Sequence, residues 1–306
     1  MQDNQKTLKR EYTFEGKGLH SGRKVRMTLC PAPAGTGIRF LREDIGPDAV
    51  IEALADYVTT TQRGTTLEKG EIRLSTLEHL LSAFSGMGVD NALVRINAQE
   101  VPILDGSALP YVRAVSADGL QEQDAPRSYY KITERISLRD EASGSEIVID
   151  PADDFSVDLK IDFNSHVLGV QDIHYDRLTD YASEVAPCRT FVFFHELEFL
   201  FNNNLIKGGD LENALVIVEK PVPEEALSRM AALFNVEKVG VLPNGYLDNV
   251  RLHFPNECAR HKLLDLIGDF SLIGTRILGK VTAFKSGHRI NTDMARIVRE
   301  RIKNNK

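Results

Sequence analysis

His261 and Asp265 stand four residues apart in Arg260-His261-Lys262-Leu263-Leu264-Asp265, a spacing that puts both side chains on one face of a helix. An imidazole and a carboxylate placed this way either form a helix-surface pair or offer two ligands to one metal ion. Zinc accepts both donor types, and a catalytic zinc site takes three protein ligands and keeps one position open. The third donor must come from elsewhere, and Glu78-His79 supplies a candidate. Adjacent helix positions point about 100° apart, so His79 could bind metal while Glu78 acts as a base on water beside it. The same dipeptide also reads as a surface glutamate next to a buried, hydrogen-bonded histidine. Asp269 extends the His261–Asp265 face by one more turn. It could charge an imidazole from the later loop, His288 in Lys285-Ser286-Gly287-His288, favouring the protonated form that a general acid needs. Set against this is an ordinary solvated aspartate and a histidine in a turn. His20, His166, His174, His195 and His253 have no partner at a telling spacing and are read as structural.

Other chemistries lack their motifs. The chain has no GxxxxGK[ST] or GxGxxG phosphate loop, no GxSxG elbow and no HExxH helix. The three cysteines, Cys30, Cys188 and Cys258, are scattered without CxxC spacing. Such a set suggests reduced thiols in a cytosolic protein rather than a disulfide frame.

The elements that must position these residues follow an α+β pattern. Strand signals cover 12–19, 25–29 and 37–40. A helix is predicted to begin at Ser75 or Thr76, either of which could cap it, with Leu77, Leu80, Leu81 and Phe84 at helical spacing and Gly86 and Gly88 at its end. A strand at 92–96, a loop with Pro102, Asp105 and Gly106, and a helix near 108–117 complete the first half. The polar stretch 118–126 reads as a linker. The second half repeats the order, with strands at 129–132, 146–149 and 157–161, a helix over 256–272, a strand at 279–284 and a last helix over 291–301. The interval from His79 to Asp105 nearly equals that from His261 to His288. Either this is a coincidence of common α+β grammar, or two similarly folded domains, 1–126 and 127–306, face each other across a site between equivalent helices. One stretch breaks the repeat: about 187–220 holds Phe191, Phe193, Phe194, Phe199 and Phe201, then Gly208-Gly209, then Leu215-Val216-Ile217-Val218. It reads as a βαβ insert, either plain core or an apolar wall for a greasy ligand.

Composition sets the outer bounds. With about 150 residues per domain as a prior, 306 residues predict two domains. Hydrophobic residues at 42% and charged residues at 26% exclude disorder. A net charge of −7 argues against a general nucleic-acid binder, which needs a basic surface. No apolar run approaches the ~20 residues of a membrane helix, and Met1-Gln2-Asp3-Asn4-Gln5 carries no basic region leading into an apolar core.

Several stretches taken together resemble the UDP-3-O-acyl-N-acetylglucosamine deacetylase family, zinc enzymes of lipid A biosynthesis. They are Gly16-Lys17-Gly18-Leu19-His20-Ser21-Gly22, Leu74-Ser75-Thr76-Leu77-Glu78-His79-Leu80 and Val101-Pro102-Ile103-Leu104-Asp105-Gly106-Ser107 in the first half. Ala186-Pro187-Cys188-Arg189-Thr190-Phe191, Asn244-Gly245, the segment from Arg260 to Asp269 and Gly287-His288 follow in the second. The resemblance runs in order over nearly the whole chain. It implies two β-α-α-β domains packed helix to helix, with Zn2+ held by His79, His261 and Asp265. It further implies Glu78 as general base, His288 as its protonated counterpart supported by Asp269, and Thr190 hydrogen-bonding the developing oxyanion. Lys262 would contact the substrate near the sugar nucleotide and Phe191 would pack on the sugar. The Phe-rich insert, Phe193 included, would bind substrate along the acyl chain. Val192 stands where many members carry glycine, which could reshape that path. The implied partner is an acylated UDP-sugar, met by a monomeric cytoplasmic chain with no nucleic-acid polymer and no stable membrane insertion.

Overall fold

The computed structural model describes residues 3–197, 207–208, 210–234 and 236–304. Two larger sheets share one strand order. In the first, Tyr12–Lys17, Lys24–Pro31, Ala92–Ile96, Ile38–Arg42 and Val50–Glu52 lie side by side. In the second the order is Ile136–Asp140, Ser145–Asp150, Arg276–Phe284, Phe155–Asp162 and Val170–Tyr175. Tyr129–Lys131 also pairs in parallel with Arg276–Phe284. Each central strand has an antiparallel neighbour on one side and a parallel neighbour on the other. Each also follows directly on a long helix, Glu78–Met87 in the first case and Glu257–Ser271 in the second. The parallel pairings require crossovers, and these helices provide them.

The two helices pack against each other with apolar stripes. Leu77, Leu80, Leu81 and Phe84 from one, and Leu263, Leu264, Leu266 and Ile267 from the other, are buried in one continuous core. The backbones meet at Gly268, where a Cβ would collide with the Glu78 carbonyl oxygen. Glycine is therefore required for the helices to approach this closely. A Gly268→Ala protein is expected to lose about 1–3 kcal/mol of stability, the usual cost of overpacking, seen as a lower Tm. An unchanged Tm would show that the helices can separate without cost.

Several elements differ from expectation for local reasons. The first helix starts at Glu78 with Leu77 as N-cap and no side-chain cap. Thr76 is left-handed (φ 58°), and its hydroxyl donates to Glu100 at 3.3 Å rather than to the helix. The stretch read as a linker forms the strand Leu120–Pro126, antiparallel to Asn4–Leu8. Leu120–Pro126 is mostly polar and half exposed, and Asn4–Leu8 buries only its last two residues, so no apolar alternation marks either strand. A three-stranded sheet of Val58–Thr60, Thr66–Lys69 and Ile72–Ser75 is likewise unannounced. The last helix is His288–Asn304, so His288 opens it instead of preceding it in a loop.

In the insert, Phe191–Phe193 and Leu215–Ile217 pair in parallel. The helix expected between them falls largely on 198–206, with Phe199, Leu200 and Phe201, outside the described residues. A helix over Glu224–Leu233 follows. Phe194, Leu197, Leu211, Val216, Val218 and Met230 form a separate small core there. Among the described residues no helix is long and apolar enough to cross a membrane.

Candidate metal centre and its surroundings

Because the two long helices touch near Gly268, the start of one lies beside the middle of the other. His79 Nε2 comes to 3.7 Å and His261 Nε2 to 3.4 Å from the same atom, Asp265 Oδ1. Donor atoms of the three residues all lie within 4.8 Å of one another, and all three side chains are buried. His261 Nδ1 is 3.1 Å from the Cys188 carbonyl oxygen, which fixes Nε2 as the nitrogen facing Asp265. Asp265 Oδ1 is buried with no hydrogen-bond partner. A buried carboxylate oxygen without a donor is costly, and a cation bridging it to two imidazoles would satisfy it.

Protonation favours the same reading. Burial pushes His79 down to about 3, helped by the neighbouring His261, and burial also lowers His261. Burial alone would raise Asp265, but His261, Lys262 and His288 outweigh it and hold the carboxyl well below its usual range. Two neutral imidazoles and one ionised carboxylate are the states in which these groups bind metal. The His₂Asp donor set suits zinc and could hold it.

Glu78, in the first turn of its helix, is 3% exposed, and burial first of all raises its carboxyl to about 7. Its Oε1 lies 3.9 Å from His288 Nε2, and its Oε2 accepts from the Thr65 backbone N–H at 3.1 Å. His288 Nδ1 sits 3.0 Å from Asp269 Oδ2. Burial works against a charged His288, yet Asp269, Asp265 and Glu78 together raise it to about 9. Asp269 is fully buried and also accepts from Thr65 Oγ1 at 2.6 Å and Asn291 Nδ2 at 2.9 Å. Lys262 Nζ lies 2.9 Å from Asp265 Oδ2 and 5.7 Å from the centre of the Phe191 ring. A carboxylate able to take a proton and an imidazolium able to give one thus flank the three donors.

A cavity of about 220 Å³ opens on this cluster. Thr190, Phe191, Lys262 and His288 line it together with Glu78, His79, His261 and Asp265. Its apolar lining includes Val192, Leu197, Leu211, Val216 and Phe234. Phe193 is not among the lining residues. Two strand positions beyond Phe191, about 6.6 Å further along, its ring packs on Phe163 and His195 instead. His20, read as structural from the sequence, lines the cavity, as does Arg63. The backbone N–H of His20 donates to Glu100 at 2.8 Å and its ring Nε2 lies 3.2 Å from the Arg63 carbonyl oxygen. The glycines flanking it in Gly16-Lys17-Gly18-Leu19-His20-Ser21-Gly22 were the one available signal.

The family model for UDP-3-O-acyl N-acetylglycosamine deacetylase matches residues 5–234 and 237–300. The chain is 46% identical over 301 residues to a Porphyromonas gingivalis protein named bifunctional enzyme LpxC/FabZ, covering 98% of this chain and 65% of that protein. A Bacteroides thetaiotaomicron protein of the same name is 42% identical over 299 residues, again with 98% of this chain and 65% of the relative covered. The chain thus spans just under two-thirds of the length of these relatives. A Teredinibacter turnerae protein named UDP-3-O-acyl-N-acetylglucosamine deacetylase is 38% identical over 302 residues, which is 97% of this chain and 90% of that protein. With sequence motifs, buried donor set and nearly full-length match in agreement, this chain belongs to the UDP-3-O-acyl N-acetylglycosamine deacetylase family.

Proposed function

We propose that this chain hydrolyses the acetamide of UDP-3-O-acyl-N-acetylglucosamine, releasing acetate and the free 2-amine, a committed step of lipid A biosynthesis. The observation that carries this reading is the convergence of His79, His261 and Asp265 on one orphaned oxygen, flanked by Glu78 and His288. Zinc is the proposed metal, and when bound it would supply Lewis acidity toward the amide carbonyl and the attacking water. Glu78 takes the proton of that water. The Thr190 hydroxyl donates to the oxyanion, in the manner of preorganised donors aimed at developing charge. His288, held protonated by Asp269, gives its proton to the departing amine. Lys262 and Phe191, adjacent at the cavity wall, take the sugar nucleotide end.

The apolar part of the cavity is proposed to receive the acyl chain, with Phe193 shaping it through Phe163 rather than by contact. Each buried methylene contributes about 0.8 kcal/mol, about fourfold in affinity. Shortening the chain is therefore expected to lower kcat/KM stepwise in a homologous substrate series. Equal turnover of a sugar nucleotide without the acyl group would contradict the passage.

The shared strand order supports two β-α-α-β domains, 1–126 and 127–306, the second carrying the insert and both joined through their helices. Three buried, unpaired cysteines support a reducing cytoplasmic setting. The proposed activity is tested by acetate release from the acylated UDP-sugar, lost on chelation and restored by zinc. No acetate from zinc-loaded protein would overturn it.

A further inference from the structure

One threonine touches both proton-handling groups. Thr65 is fully buried, and its backbone N–H donates to Glu78 Oε2 at 3.1 Å. Its hydroxyl donates to Asp269 Oδ1 at 2.6 Å, while His288 Nδ1 and Asn291 Nδ2 engage the other oxygen. Glu78, Asp269 and His288 belong to three different helices. Thr65 belongs to none of them; it precedes the strand Thr66–Lys69 of the small sheet.

The backbone around Thr65 is specialised to deliver it. Arg63 is left-handed (φ 61°) and Gly64 has φ 149°. A Cβ at Gly64 would come within 2.9 Å of Glu78 Oε1, so a side chain there would displace the carboxylate. The Thr76 N–H donates to the Thr65 carbonyl at 3.1 Å, tying the loop to the turn that leads into Glu78. Unfavourable conformations of this kind persist where surrounding contacts over-determine them, and they gather at functional sites.

We propose that Thr65 is a positioning residue: a crosspiece that fixes the spacing of Glu78 and the His288–Asp269 pair through its N–H and its hydroxyl. The inference rests on the deacetylase reading above. Without the hydroxyl, Asp269 Oδ1 loses its donor while the opposite oxygen keeps two. The carboxylate then turns toward His288 and Asn291, and the imidazole that faces Glu78 turns with it. The hydrogen bonds of Thr65 go to Glu78, Asp269 and Thr76 and not to His79, His261 or Asp265, so metal binding is spared.

The test compares Thr65→Val, which keeps the shape and removes the hydroxyl, with Thr65→Ser, which keeps the hydroxyl. Displacing a reacting group by about 1 Å can cost about 10²-fold, so zinc-loaded Thr65→Val is expected to lose at least about tenfold in kcat. Its KM and zinc content are expected to stay at wild-type values, with Thr65→Ser recovering most of the lost rate. In an Asp269→Asn background, Thr65→Val is expected to add little further loss, because the two act as one unit. If the valine protein does not fold, Thr65→Ala against Thr65→Ser carries the same contrast. Wild-type kcat without the hydroxyl, a serine variant as slow as valine, or fully additive losses would each overturn the proposal. A wild-type protein that releases no acetate overturns the deacetylase reading instead.

Discussion

Glu78→Gln is expected to keep its metal and lose about 10²–10⁴-fold in kcat, the range for removing a general base. The substitution preserves size, and the amide oxygen can still accept from the Thr65 N–H that holds Glu78 Oε2 at 3.1 Å. The three proposed metal donors, His79, His261 and Asp265, are untouched. What disappears is a carboxylate whose affinity for protons burial has raised to about 7, well placed to take one near neutrality. Turnover and metal content measured on the same preparation separate the roles. Near wild-type turnover would remove Glu78 from the reaction, and loss of metal would make it a ligand.

His288→Ala is expected to cost on the order of 10²-fold in kcat with metal retained, and its effect on the pH profile is more telling than the loss itself. Glu78 must be ionised to act as base, so kcat/KM rises with pH through its titration. His288 must be protonated to act as acid, so kcat/KM falls as pH rises through its own, which neighbouring carboxylates place near 9. A bound cation would move both limbs to lower pH. Asp269→Asn removes the carboxylate at 3.0 Å from His288 Nδ1. It should shift the basic limb to lower pH, because the charge that holds the imidazolium is gone. The limbs report the coupled pair rather than one residue. A basic limb unchanged in both His288→Ala and Asp269→Asn would leave Glu78 as the only proton carrier.

The parts of the site that the sequence displays are those carried by helices. His261, Asp265 and Asp269 repeat at four-residue intervals, and one helical face follows from the spacing alone. The central strand Ala92–Ile96 was equally plain, because its alternating apolar residues are buried on one face. Thr65 was invisible for the opposite reason. It sits in a loop beside strands of only three and four residues, and its partner Asp269 lies 204 residues away. Glu100 behaves alike: it is 2% exposed and holds the His20 loop and Thr76, but nothing local marks it. The Leu120–Pro126 strand shows how a paired ribbon with both faces half wet passes for a linker. His288 stands out by its chemistry but not as the head of a helix, because the residue before it, Gly287, has no side chain that could mark a cap.

Metal content tests the central claim most directly. Purified under metal-replete conditions, the wild-type chain is expected to carry about one zinc, since three buried protein donors make a single site. Asp265→Ala, in which the orphaned oxygen is removed, is expected to carry essentially none. Wild-type protein without stoichiometric metal, or Asp265→Ala protein with full occupancy, would contradict the account.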